Sequence, residues 1–513
     1  MFIIGAAVAL VGAAVAIYYA RAVLTLSHYD ARAHLVVARR ILDSLMPGWQ
    51  QIGAVWLPLP HVLNMVPVQV DSWYRSGASA IAISIASMAV GTAAFAWFVL
   101  RRTGSVSAAA AGAALIMSNP NVLYLQSTPM TEPLLFGTLL LAVALTADWV
   151  DRGAPPPAHA PGFAIAAACM TRYEAWPVCA ALIALAAAVL LRRGSGLSST
   201  AGALARLSAY PAVAIVLFLL NSRWTVGSWF VSSGFFVAEN KALGMPMIAL
   251  DQVREGVYRL SGVWSVWPAY AGAIALIAAF ALSRSRASLV LVLALAAAAA
   301  LPWYAYFEGH PFRIRYSIPL VVACAAITAT AIALLPRLIR DAVAVGIIAA
   351  TLWPLSPFDR SAPLIAESQR DAQNSVGRRV VTEYLRTHHD GRVIMMSMGS
   401  LAHYMHDLSS IGLDVHDFLH EGNGEVWKAA LEYGPRAYVH WVAIEETAEG
   451  GDALYQRSKS NSRFLEGFSR VAEGGGVALY RAVVTESGVR KSGSPEVRSS
   501  ELPNLRTPGL LTN

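Results

Sequence analysis

Long apolar stretches recur along the first 355 residues and alternate with short polar connections. A run of about 17–25 apolar residues can cross a bilayer as a helix. We place eleven such stretches, two of them short (105–118 and 161–171), at 2–20, 78–100, 105–118, 132–150, 161–171, 174–191, 207–222, 263–282, 287–304, 316–335 and 341–355. The pattern predicts an all-α polytopic membrane domain over residues 1–355, with about eleven transmembrane helices.

The pattern changes after Pro354, where apolar and charged residues become interspersed. Residues 376–385 have helical spacing, and 392–398, 437–443 and 476–481 have the composition of short strands. These elements predict a small α/β domain over residues 356–485. Residues 486–513 are rich in Ser, Pro, Gly and charge and contain few apolar residues, which favours a disordered tail.

Composition supports a membrane protein, with 56% hydrophobic and only 14% charged residues and a mean hydropathy of +0.50. The net charge is +7, but the basic residues are scattered among the connections, so we interpret them as topology determinants and not as a nucleic-acid surface. With a cytoplasmic N-terminus, every inward-facing connection carries at least one arginine. This predicts a multi-pass protein of the cell membrane with an extracytoplasmic C-terminal domain.

This topology brings many ionisable residues to the outer side of the membrane, although they are far apart in sequence. They are Asp30, His34, His61, Glu132, Arg172, Glu174, Lys241, His310, Arg313 and Arg315. Ionisable groups near a bilayer are costly unless they pair or line a cavity. A shared cavity that opens outward explains all of them together.

The first outer loop, residues 21–77, contains the strongest catalytic candidate, Asp30. A carboxylate there can act as a general base, or it can simply cap a helix or pair with Arg32. Residues 31–45 have an apolar stripe, and we expect an amphipathic helix lying on the membrane surface. His34 and Asp30 share one helical face, and His61 follows later in the loop. Two histidines and one carboxylate are a weak metal signal, so we predict no bound metal and no cofactor.

Three other short motifs carry charge at the membrane boundary. In Thr128–Pro133, two prolines fix a turn that presents Glu132 or merely starts a helix. In Thr171–Glu174, Arg172 and Glu174 either neutralise one another or bind and orient a phosphate. In 308–316, Arg313 and Arg315 either capture a lipid phosphate or act as snorkelling anchors. The outer loop 221–260 adds Lys241 and aromatic residues that include Phe235 and Phe236, which suit sugar stacking or the interfacial belt.

These motifs together resemble the GT-C superfamily of integral-membrane glycosyltransferases, particularly bacterial members of the family 39 (protein mannosyltransferase-like) group. The stretches that carry the resemblance are 29–34, 53–61, 128–133, 171–176 and 313–316. Many members have two neighbouring acidic residues in the first loop, whereas here Asp30 is followed by Ala31. The missing acid weakens any inference of metal dependence.

The resemblance implies inverting transfer of a sugar from a polyprenyl-phosphate donor to a glycan, lipid or protein acceptor outside the cytoplasm. It implies that Asp30 is the catalytic base and that Arg313 and Arg315 bind the donor phosphate. We add Arg172 and Lys241 as phosphate-binding candidates, and as supporting active-site residues we expect His34, Trp56, His61, Glu132, Tyr173 and Glu174. Two alternatives stay open: a multi-span transporter or lipid flippase, and a scaffold protein whose outer domain binds a partner.

Overall fold

The computed structural model describes residues 2–53, 55–230, 240–448 and 451–483. Two predictions lie outside these residues: Phe235 and Phe236 of the outer loop, and the tail at 486–513. In the described part of the chain, helices occupy the membrane region, and a small five-stranded sheet with helices follows near the C-terminus. The predicted fold class is therefore confirmed.

The membrane region is built from apolar helices joined by short connections. In chain order they are α1 (Phe2–Arg21), α2 (Tyr29–Arg39), α3 (Leu59–Asn64), α4 (Asp71–Ser76), α5 (Ala78–Thr103), α6 (Val106–Ser118), α7 (Pro120–Gln126), α8 (Glu132–Asp151), α9 (His159–Cys169), α10 (Ala175–Arg192), α11 (Leu197–Thr225), α12 (Pro246–Ser261), α13 (Val263–Leu282), α14 (Ala300–Phe307), α15 (Ile318–Ile332) and α16 (Arg337–Leu352). Before α14 the chain forms 3₁₀ turns over Arg284–Ala299, so that Arg284–Phe307 is one continuous span.

The predicted number of eleven spans is too high for the part of the chain that the structure describes. Eight segments there are long and apolar enough to cross a membrane, and α6 with α7, bent by 74°, make a ninth if they count as one span. Two further predicted spans are short helices. α9 has 11 residues and α16 has 16, with charges at its start. At 1.5 Å per residue, α9 is about 16 Å long, which is well short of a hydrocarbon core of about 30 Å.

Helices α5 and α8 approach each other closely in the membrane region. Gly91 on α5 faces Gly137 on α8, and a Cβ atom added at either glycine would overlap backbone atoms of the other helix. Small residues allow helix backbones to approach closely in lipid, where burial of apolar surface alone gives little association energy. This contact fixes α8, whose first residue is Glu132, against α5.

The helix expected over residues 31–45 is shorter than predicted and is buried in the protein, so the prediction of an exposed surface helix is wrong. α2 ends at Arg39, and ten of its eleven residues are buried. Charged residues of this helix bind the C-terminal domain. Arg32 Nη1 donates to Asp407 (2.6 Å), and Arg39 Nη2 lies 3.1 Å from Asp414 Oδ1. The helix is therefore held between the membrane helices and the C-terminal domain.

The C-terminal domain contains a mixed sheet with the strand order β2-β1-β3-β5-β4. β1 is parallel to β2 and β3, whereas β5 is antiparallel to β3 and β4. The elements are α17 (Pro363–Gly377), α18 (Arg379–His388), β1 (Ile394–Met396), α19 (Met398–Leu408), β2 (Phe418–Leu419), α20 (Gly424–Tyr433), β3 (Trp441–Glu445), α21 (Ala453–Ser460), β4 (Phe468–Gly474) and β5 (Val477–Ala482). α17 reaches back to the membrane region, where the Leu364 backbone N–H donates to Asn121 Oδ1 (3.1 Å).

We predict that Gly137→Ala lowers the free energy of unfolding by about 1–3 kcal/mol, because the new methyl group forces α5 and α8 apart. The matched control is Gly346→Ala in α16, where a Cβ would meet nothing within 4 Å. There the better helix propensity of alanine should leave stability unchanged or raise it by up to about 1 kcal/mol. Denaturant unfolding of both purified variants in detergent measures the difference. Equal effects of the two substitutions would contradict the close packing.

Candidate active site

Five charged side chains from four separate segments meet at one end of the helix bundle. Arg315 Nη2 donates to Asp30 Oδ2 (2.5 Å), and Arg315 Nε lies 3.5 Å from Glu132 Oε1. Arg172 Nη1 lies 3.1 Å from the same Glu132 oxygen, and Arg172 Nη2 donates to Glu174 (2.7 Å). We call Asp30, Glu132, Arg172, Glu174 and Arg315 the charge cluster. Negative and positive groups alternate through it, as buried ions require.

Local backbone structure places each member of the cluster. Asp30 lies in the first turn of α2, where the His28 Nδ1 atom caps the helix by accepting the Asp30 backbone N–H (3.1 Å). Glu132 opens α8 with Pro133 beside it, and a carboxylate is favoured at a helix N-terminus. Arg172 and Glu174 occupy the turn between α9 and α10, and Arg315 lies in a 3₁₀ turn before α15.

The cluster sets the ionisation of its members. Burial alone would raise the pKa of the Asp30 carboxyl, but the Arg315 guanidinium and His28 lower it well below its usual range. Burial alone would lower the pKa of Arg172, but Glu132 and Glu174 raise it overall. Burial together with Arg315 lowers the pKa of His28 to about 3, so its ring is neutral near pH 7. Asp30 is therefore an ionised but weak base while Arg315 holds it.

A second group of predicted residues lies one helical turn from Asp30. His34 Nδ1 and His61 Nε2 are 3.0 Å apart, and the Trp56 ring centroid lies 4.1 Å from that of His34. Both histidines are buried. Among the described residues there is no group of three or more His, Cys, Asp or Glu side chains that could hold a metal ion. The absence of a metal nevertheless stays a prediction.

The remaining predicted residues lie at the edge of the charge cluster or away from it. The Tyr173 hydroxyl donates to the Val55 carbonyl (3.3 Å), which ties the turn before α10 to the first loop. Lys241 is exposed, and its neighbour Asn240 donates to the His310 carbonyl. Asp30 and burial raise the pKa of Tyr29 above its usual value. Arg315 and Arg313 act in the opposite direction, which places Arg313 near the Tyr29 ring. Arg313 thus lies near Tyr29 on the side of Arg315, and Lys241 follows Asn240, which contacts the segment before Arg313.

Four residues near Asp30 were not predicted as site residues. His28 and Tyr29 precede Asp30, and their rings stack at 4.8 Å. Glu367 and Asp371 come from α17, where the Asp371 Oδ2 atom accepts the Tyr29 backbone N–H (3.4 Å). Burial raises the pKa of Asp371 to about 6. The sequence shows only that α17 follows the last apolar stretch. It does not show that Asp371 contacts Tyr29, because the two residues are more than 300 positions apart in the chain.

The structure is similar to two crystal structures of ArnT from Cupriavidus metallidurans. The one bound to undecaprenyl phosphate has a TM-score of 0.57 and 13% sequence identity, over 93% of this chain and 98% of ArnT. The apo form gives a TM-score of 0.56 and 12% identity, over 92% and 97%. No protein-family model and no curated protein matches this sequence. At this identity the likeness shows the fold, which is the GT-C fold of ArnT.

We predict that Glu132→Gln destabilises the protein by about 1–3 kcal/mol, because the substitution leaves two buried guanidiniums without their shared counter-charge. The loss is smaller than the about 3–5 kcal/mol of an isolated buried charge, since Arg172 keeps Glu174 and Arg315 keeps Asp30. Glu255→Gln is the control, because Glu255 pairs with Arg259 on an exposed surface and should change stability by less than about 1 kcal/mol. Thermal unfolding in nanodiscs checks both, and a negligible effect of Glu132→Gln would refute the pairing.

We further predict that Asp371→Asn stabilises the protein near pH 7.5 and that the gain disappears toward pH 4. Burial raises the pKa of Asp371 to about 6 in the folded protein. The stability that the protonated carboxyl gives is therefore full below the unfolded-state pKa and is lost as the pH rises through about 6, where a buried carboxylate ion remains. Asparagine removes that ion. Two pKa units correspond to at most about 3 kcal/mol. Melting curves of wild type, Asp371→Asn and the exposed-site control Asp341→Asn at both pH values provide the measurement. A gain that does not depend on pH would count against this assignment.

Proposed function

We propose that this protein transfers a sugar from a polyprenyl-phosphate donor to an acceptor on the outer side of the cell membrane, with Asp30 as general base. The observation that carries the proposal is the direct ion pair between Asp30 and Arg315, at 2.5 Å, in a buried cluster at one end of the bundle. ArnT, whose fold this chain shares, binds undecaprenyl phosphate in its crystal structure, and this supports a polyprenyl-phosphate partner. The family 39 resemblance of the sequence motifs points the same way.

The charge of the cluster determines how a donor phosphate binds. Its three carboxylates exceed its two guanidiniums, so an incoming phosphate must take a guanidinium away from one carboxylate. Arg172 is held on both sides, by Glu132 and Glu174, and also donates to Thr131 Oγ1 (3.0 Å). Arg315 is held tightly only by Asp30, since its Nε atom lies 3.5 Å from Glu132, and it is two residues from Arg313 in the chain. We therefore assign phosphate binding first to Arg315 and Arg313, with Lys241 at the entrance and Arg172 as support.

This exchange activates the base. When Arg315 turns to the phosphate, Asp30 loses the partner that depresses its pKa, and the carboxylate becomes a stronger base. Asp30 then takes the proton of an acceptor hydroxyl while the oxygen attacks the anomeric carbon of the donor. The bond between that carbon and the phosphate oxygen breaks, and polyprenyl phosphate leaves with the bond electrons. Attack opposite to the leaving group inverts the anomeric centre.

Arg315 also stabilises the departing group. Negative charge grows on the phosphate as the glycosidic bond breaks, and a guanidinium already in place in a dry site stabilises that charge strongly. The reaction needs no nucleotide and no redox group, so we propose that it proceeds without a cofactor. We orient the N-terminus toward the cytoplasm, with the cluster and the C-terminal domain outside.

We predict that Asp30→Asn lowers sugar transfer by about 10²–10⁴-fold, because the variant keeps the shape but cannot accept the proton. Undecaprenyl phosphate should bind Asp30→Asn at least as tightly as wild type, since Arg315 is then free of its competitor. The assay uses protein in nanodiscs, radiolabelled polyprenyl-phosphate sugars and a membrane extract as acceptor source. Asp251→Asn, at an exposed site, is the control.

Two outcomes would contradict the proposal. Equal turnover by wild type and Asp30→Asn would remove Asp30 as the base. Movement of the intact lipid-linked sugar across liposome membranes, without release of the sugar, would identify a transporter instead.

A further inference from the structure

Arginine side chains gather at the end of the helix bundle that lies opposite to the charge cluster. α8 begins at Glu132, inside the cluster, and ends at Asp151 after 20 residues, which is a length of about 30 Å. α5 and α10 end beside it, because Arg102 and Arg193 both pair with Asp151. α13 ends there as well, since Arg193 Nε donates to the Arg284 carbonyl (3.4 Å). We call these four helix ends, residues 101–105, 148–158, 192–196 and 283–287, the arginine end.

The arginine end carries a large excess of positive charge. Its four stretches contain seven arginines, two aspartates, and no lysine or glutamate, so their net charge is +5. The two aspartates hold some of the arginines in place. Asp151 pairs with Arg102 (2.6 Å) and with Arg193, and Asp148 pairs with Arg152 (3.0 Å). In the charge cluster the ratio is reversed, because three carboxylates surround two guanidiniums there.

Contacts within the protein account for only part of this charge. Cations are favoured at the C-terminal ends of helices, and Arg192 is used in this way, since its Nη2 atom donates to the Ala281 carbonyl (2.7 Å). Arg284 and Arg286 are exposed, and neither guanidinium pairs with a carboxylate in the part of the chain that the structure describes. The Arg101 side chain is 61% exposed, and its Nε atom is 3.8 Å from a carboxylate oxygen. These three guanidiniums are available to a ligand.

Exposed apolar side chains lie next to the exposed arginines. Leu282, two residues before Arg284, is 85% exposed, and Val106, four residues after Arg102, is 70% exposed. The boundary between lipid headgroups and acyl chains accommodates apolar and cationic side chains together. The length of α8 also matches a hydrocarbon core of about 30 Å. With the charge cluster at one boundary of the bilayer, the arginine end therefore reaches the headgroups of the opposite leaflet.

We propose that the arginine end binds the headgroups of anionic phospholipids in the leaflet opposite to the charge cluster, through Arg101, Arg284 and Arg286. A guanidinium donates two parallel hydrogen bonds to phosphate oxygens, and each basic residue near an anionic lipid surface adds to the affinity. The lipid occupies the side of the protein that takes no part in sugar transfer. The proposal uses no residue of the charge cluster, so it can fail while the proposed function stands, and the reverse is also true.

The test measures binding of fluorescent phosphatidylglycerol and phosphatidylcholine to the full-length protein in an uncharged detergent. The variant Arg284→Gln/Arg286→Gln removes two exposed positive charges. The matched control is Arg254→Gln/Arg259→Gln on α12, which removes the same charge from another exposed surface. A NaCl titration of wild type is a second measurement that needs no variant. Inorganic phosphate, added as a competitor, separates recognition of a lipid headgroup from recognition of the free ion.

We expect wild type to prefer phosphatidylglycerol over phosphatidylcholine by at least about 30-fold, and Arg284→Gln/Arg286→Gln to lose about 30-fold in affinity for phosphatidylglycerol, about fivefold for each arginine. The control should stay within about twofold of wild type, and NaCl should weaken only the binding of phosphatidylglycerol. Equal affinity of wild type for the two lipids would overturn the proposal, as would equal losses in the two double variants. Displacement of phosphatidylglycerol by millimolar inorganic phosphate would also overturn it, because the arginine end would then recognise the free ion.

Discussion

The buried pairing of charges around Arg315 is the constraint on which the rest of the site depends. An ion inside a membrane protein is stable only when groups of opposite charge surround it closely. Here the opposite charges come from the first loop, the start of α8, the turn before α10 and the turn before α15, and each must be held within about 3 Å of its partner. The cluster thus joins segments that are almost 300 residues apart, and it fixes Asp30 at a defined place.

The C-terminal domain completes this arrangement from the other side. α2 carries Asp30 on one face and arginines that bind the domain on others, with Arg32 on Asp407 and Arg39 on Asp414. α17 adds Asp371 at the backbone of Tyr29. Helix α2 of the first loop therefore lies between the membrane helices and the C-terminal domain, which explains why it is buried although its sequence is amphipathic.

Much of this could be predicted from the sequence, for identifiable reasons. Apolar length predicts most spans, and the arginines of the connections place Asp30, Glu132, Arg172, Glu174 and Arg315 at one level, where the structure brings them together. The pairing within the cluster could not be predicted, because spacing does not show which carboxylate faces which guanidinium. The burial of α2 was missed because a helix covered by a second domain has the same periodicity as one covered by lipid. His28 as a cap and Asp371 as a neighbour depend on tertiary contacts alone.

The central claim is that the guanidinium that restrains Asp30 is also the group that receives the donor phosphate. Its most direct test is the affinity of undecaprenyl phosphate, without any sugar, for wild type, Arg315→Gln and the exposed-surface control Arg259→Gln in nanodiscs. We expect wild type and Arg259→Gln to bind the lipid equally and Arg315→Gln to bind it at least tenfold more weakly, because a charge-assisted hydrogen bond is worth about 1.5–3 kcal/mol. Equal binding by all three proteins would show that the phosphate lies elsewhere and that the charge cluster is a structural element only.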